Sequence, residues 1–190
     1  WYLIKEKFNY ENTNKLKEYL KNISIVFRTN NSSHQDVYIN DICVTEDIRS
    51  QDISCMVSSI ASISEVRKFL VSEQKKLGEA GGLVAEGRDI GTKVFPNAEL
   101  KIFLTASIDE RAKRRKLELE KKSDFKINFT EIKEQIKKRD LIDSTREISP
   151  LKKAKDALEI ITDGFSIDQI VENIVEIYNE RVPEEVQNLL

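Results

Sequence analysis

Two cysteines, one histidine and three prolines in 190 residues leave little material for several kinds of chemistry. Cys43 and Cys55 are too far apart for a Cys-x-x-Cys pair. That argues against a disulfide framework or a thiol-based zinc site and points to a reducing compartment, the cytoplasm. His34 lies in the polar run "NNSSHQD" and reads as a solvated loop residue, so a histidine-based triad has no support. No apolar run approaches the roughly 18 residues needed to span a bilayer. The start, "WYLIKEKFNY", has neither an initiator methionine nor a signal-peptide layout, and reads as a chain entered partway through an amphipathic helix. A net charge of -2, from 31 basic and 33 acidic residues, lacks the basic excess that nucleic-acid or membrane binding would want. Any anion site must be built locally.

What is present is a well-charged globular composition, 39% hydrophobic and 34% charged, of a length that suits one domain with a small insert. Trp1, Leu3, Ile4 and Phe8 fit one face of a helix over 1–10. Asn12 caps a second helix carrying Leu16, Tyr19 and Leu20. Residues 23–45 read as a small antiparallel meander, and 47–59 and 64–77 as helices ended by "EAGG". Then strands and helices alternate. Strands are predicted at 83–85, 100–104 and 157–161. Helices follow capping pairs Ser107/Glu110, Asn128/Glu131 and Ser166/Gln169. The last should bury Ile167, Ile170, Val171, Ile174 and Val175. The alternation predicts an α/β fold with a parallel sheet flanked by helices.

In parallel sheets ligands bind at the carboxyl ends of strands. "GLVAEGRDIGT" places Arg88 and Asp89 just beyond the strand predicted at 83–85, with Gly87 and Gly91 allowing a sharp turn and close approach. Arginine suits a phosphate through its planar fork, and aspartate suits an amino group or a hydroxyl. A local Arg–Asp surface pair reads the stretch equally well. In "IKKRDLIDSTREISP", Arg139, Asp143 and Arg146 share a helix face, either as a solvated salt-bridged face or as a phosphate-and-hydroxyl clamp. In "DERAKRR", Arg111, Arg114 and Arg115 share another face, fit for a polyphosphate or for solvation alone. The polar stretch "LEKKSDFKINF" reads as a lid.

Taken together, "GLVAEGRDIGTKVFPNAELKIFLTASIDERAKRR", "RDLIDSTREISPLKKAKDALEI" and "IRSQDISCMVSSIASISEVRKFL" resemble cytidylate kinase of the bacterial type, a branch of the P-loop nucleoside monophosphate kinases. The order and spacing match over nearly all of residues 1–190. The resemblance implies a CMP-binding insert region at 23–59 and a lid at 119–137. It places Ser58, Arg67 and Asp89 on the cytosine ring, and Arg88 and Arg146 on the acceptor phosphate. It places Arg139 and Asp143 near the ribose, with Arg139 near the phosphates, and Arg114 at the donor nucleotide. Arg88, Arg139 and Arg146 would be the catalytic arginines. The implied reaction is phosphoryl transfer from ATP, with Mg²⁺, to CMP or dCMP, in a monomer that binds small nucleotides and neither nucleic acid nor membrane. Such a reaction needs no histidine or cysteine nucleophile.

One departure stands out. No GxxxxGK[ST] occurs in these residues, so the Gly-rich phosphate loop of the family has no counterpart here, nor has a Mg²⁺ ligand. The expectation is a kinase domain whose first strand and helix lie upstream, in a longer chain that in some bacteria also carries pantothenate synthetase. On that reading the 190 residues alone would not phosphorylate CMP. The alternatives are a nucleotide-binding module that has lost its P-loop, and a kinase of the same fold for another acceptor such as UMP.

Overall fold

The computed structural model describes residues 1–9, 12–30, 34–121 and 128–184. The chain divides into two compact units, Trp1–Gln74 and Lys75–Leu190.

In the first unit a single helical turn, α1 (Tyr2–Lys5), precedes α2 (Thr13–Lys21). The helix expected over 1–10 stops early because Lys7 adopts a left-handed φ of 49° and Phe8 N–H donates back to Leu3 O at 2.9 Å. This is the reverse bond of a Schellman-type end. Asn12 caps α2 by accepting from Lys15 N–H. Leu16 and Leu20 then meet Leu3 and Val66 in the buried cluster of this unit. Strands β1 (Ile25–Thr29), β2 (Gln35–Ile39) and β3 (Ile42–Cys43) form the predicted meander. The β2–β3 turn is Asn40-Asp41, with φ of 47° and 64°. A two-residue turn with both φ positive matches the twist of a hairpin, and Asn and Asp tolerate it best after glycine. The helix expected over 47–59 is two pieces: a 3₁₀ turn, Asp47–Arg49, and α3 (Gln51–Ala61). Extended Ser50 separates them. Helix α4 (Ser64–Leu77) follows.

The second unit carries a π-helical turn, Ile90–Val94, then β4 (Ile102–Thr105), α5 (Ile108–Glu120), α6 (Phe129–Thr145), β5 (Leu158–Ile161) and α7 (Ile167–Arg181). Strands β4 and β5 are parallel, with Ile102 opposite Leu158 and Thr105 opposite Ile161. Ser107 accepts from Glu110 N–H, and Ser166 and Gln169 form a complete capping box. Of the predicted lid, residues 122–127 lie outside the described residues.

Two expectations need correction. No strand forms over 83–85, and Val84 is 96% exposed. An apolar run seeks cover, but a strand also needs a neighbour for its backbone groups, and this run pairs with none among the described residues. Likewise Ile167, Val171 and Val175 on α7 are exposed rather than buried. Their spacing marks a common helix face, but periodicity says nothing about what covers that face. No described helix is long and apolar enough to cross a membrane.

Candidate functional site

The site begins with backbone. The carbonyl of Asp89 accepts from Lys93 N–H at 2.8 Å and from Thr92 and Val94 N–H at 3.3 Å. Val94, 1% exposed, anchors the turn below. Gly87 is required by close approach rather than by a left-handed φ. A Cβ there would stand 2.8 Å from Ile90 Cγ1. A Cβ on Gly91 would make ordinary contact with Lys101, and Gly91 holds no left-handed φ, so neither observation demands glycine there.

Helix α6 supplies Arg139, Asp140 and Asp143. Arg146 is the residue after the helix, with an extended ψ of 140°. The chain then doubles back before Pro150. Leu151 N–H donates to Asp143 O at 2.7 Å, and Arg146 Nε donates to Ser149 O at 2.6 Å. Ser149 holds a left-handed φ of 53° while buried, which is local strain that the Arg146 bond and the return of the chain maintain.

These segments assemble charges of alternating sign. Asp89 lies 3.9 Å from Arg146, and Arg146 lies 3.5 Å from Asp143. Asp143 Oδ2 forms ion pairs with Arg88 Nε at 2.9 Å and Arg139 Nε at 3.8 Å, without a hydrogen bond of good geometry. Arg88 NH1 donates to Asp140 at 3.1 Å, and the other Asp140 oxygen accepts from Arg111 NH1 at 2.5 Å. The inner end is dry: the Asp143 and Arg146 side chains are 3% and 4% exposed. The outer arginines are open, with Arg139 at 48% and Arg88 at 31%. Charges taken out of water at the inner end must be paired. The outer arginines keep donors for a ligand. Among the described residues, NH2 of Arg88 has no partner.

Adjacent Arg88 and Asp89 therefore do not pair with each other. They enter the ladder at different rungs, which replaces the reading of a local surface pair. The structure brings together Arg88, Asp89, Arg139, Asp143 and Arg146 within the second unit. Arg114, also in this unit, is tied to the end of β5. Its NH1 donates to Thr162 Oγ1 at 2.9 Å, its NH2 to Thr162 O at 2.5 Å and its Nε to Glu110 at 2.8 Å. Beside it, hydrogen bonds from Ser107 hold the Asp163 carboxyl below the usual carboxylate range. Ser58 and Arg67 belong to the first unit, where both are buried, on α3 and α4. Arg67 Nε donates to Ala61 O at 3.3 Å. Sequence reasoning passed over Asp140, and it took Arg111 only as part of a basic face.

No group of three or more His, Cys, Asp or Glu side chains that could hold a metal occurs among the described residues. The three aspartates of the ladder are each faced by arginine. The donor set does not fit a Mg²⁺ held by these residues.

The family described as cytidylate kinase matches residues 1–180. Proteins described as bifunctional pantoate ligase/cytidylate kinase are similar along nearly the whole chain. That of Prochlorococcus marinus subsp. pastoris is 63% identical over 187 residues, 98% of this chain and 37% of the relative. That of Prochlorococcus marinus strain SARG is 48% identical over 186 residues, 98% of this chain and 36% of the relative. The chain thus spans little more than a third of the length of these relatives.

Proposed function

The chain belongs to the cytidylate kinase family, and on that premise we propose that its arginine–aspartate ladder receives the phosphate of CMP or dCMP for phosphoryl transfer from ATP. The charge count carries this reading. Arg88, Arg111, Arg139 and Arg146 face Asp89, Asp140 and Asp143, an excess of one positive charge beside partly exposed donors. Phosphoryl transfer asks the protein for alignment and charge neutralisation rather than covalent work. Arg88 and Arg139, being accessible, meet the acceptor phosphate first. Arg146 supplies positive charge from behind. Asp89, an acceptor only when ionised, takes the amino group that distinguishes cytosine from uracil. Arg114, fastened at the end of β5, faces the donor nucleotide.

Calorimetric titration of the protein with CMP and with UMP tests the reading. CMP is expected to bind at least about tenfold more tightly, since uracil turns a carbonyl oxygen towards the Asp89 carboxylate where cytosine offers an amino donor. Equal affinities would remove the role given to Asp89. Formation of CDP from CMP and ATP, measured on the protein as encoded, tests transfer itself. Tight CMP binding without transfer would favour a nucleotide-binding module. The named relatives join this domain to a pantoate ligase, and the proposal extends that arrangement to this chain. Sequencing the reading frame around it decides the point.

A further inference from the structure

Asp140 stands where three segments meet. From α6 one of its oxygens accepts from Arg88 NH1 in the loop after Gly87, and the other accepts from Arg111 NH1 on α5. The partners are 52 and 29 residues away in sequence, so this bridge is a product of the fold. Its side chains are partly open to water, with Asp140 27% and Arg111 37% exposed. Ion pairs so exposed contribute little to stability. Their effect is geometric. Two guanidinium groups that would repel each other are held on opposite oxygens of one carboxylate. Each has donors to spare. Among the described residues, Arg88 NH2 and Arg111 NH2 have no hydrogen-bond partner, while Arg111 Nε is buried without one.

We infer that Asp140 is a positioning residue that presets Arg88 and Arg111 as one two-armed clamp for a phosphoryl group, with Arg111 as the second arm. The inference rests on the phosphate-binding reading above and adds a residue pair to it. Without the bridge, each arginine samples its own rotamers and must be ordered again when a phosphate arrives. That ordering weakens binding although neither arginine is removed.

The test uses Asp140→Asn, which keeps the shape but can accept from only one arm. Inorganic pyrophosphate is the probe, titrated calorimetrically into the wild type and the variant. The expected result is about tenfold weaker binding by the variant, from two side chains no longer held in place. Cytidine, which lacks the phosphate, should bind both proteins alike, and Asp140→Glu should recover part of the loss. Arg111→Lys should weaken pyrophosphate too, and adding Asp140→Asn to it should cost little more, because the two act through one bridge. Should Asp140→Asn fail to fold, Arg111→Lys alone carries the test. Equal pyrophosphate affinity in wild type and variants, or no binding by the wild type, overturns the clamp. Loss of CMP-over-UMP preference in the wild type, with the pyrophosphate result intact, would instead count against the kinase reading and leave the clamp standing.

Discussion

Asp143 is the rung on which three arginines converge, and it is almost sealed from water. Removing a single partner from a buried ionic cluster strands the opposite charge. Asp143→Ala should therefore lower the unfolding free energy by about 3–5 kcal/mol in urea titrations. A loss under about 1 kcal/mol would mean that water already screens the cluster. Part of this arrangement was legible. Arg139, Asp143 and Arg146 fall at helical spacing, so their proximity follows from local geometry, even though Arg146 proves to lie just past the helix end. Asp140 was not legible. In sequence it is one more charge on a charged helix, and only tertiary structure brings Arg88 and Arg111 to it. Nor does sequence alone show that Arg88 and Asp89, next to each other, face different partners.

Between elements, Tyr19 of α2 stacks on Phe8 at 4.3 Å and on Tyr2 of α1 at 5.5 Å between ring centres. Burial, with the nearby charges of Tyr2 and Glu6, pushes its hydroxyl up to about 12. The neutral form is thus favoured by the fold. Its contribution is fully present below the unfolded value of 10.0 and is lost as pH rises towards about 12. Denaturation midpoints of the wild type should accordingly fall faster than those of Tyr19→Phe across that window, and parallel curves would contradict the assignment. At this scale, local chemistry decided what could be read. The Ser166/Gln169 capping box was visible because it is complete within a few residues. The strand expected at 83–85 and the burial expected along α7 were misread for the opposite reason. Both depend on a neighbour that composition does not name.

Across the whole molecule, 31 basic residues against 33 acidic ones give no long-range attraction for an anion. On the proposed reading, affinity for a nucleotide then comes from charges within contact distance, partly shielded from salt. Raising the salt from about 0.05 to about 0.5 M should weaken CMP binding by less than roughly tenfold in calorimetric titrations. A steeper loss would point to attraction by the general surface. Fold class was the most readable property here, because alternation of strand and helix survives errors in any one element. The division at Gln74 was not readable, since no run of glycine, proline or serine marks it.

The three amides that converge on the Asp89 carbonyl have a consequence for selectivity. On the proposed reading, the carboxylate that meets the base is carried on a firmly tied peptide, so the backbone has little freedom to shift for a base of different outline. Ligands altered at the amino group would then meet more of the mismatch than ligands altered elsewhere.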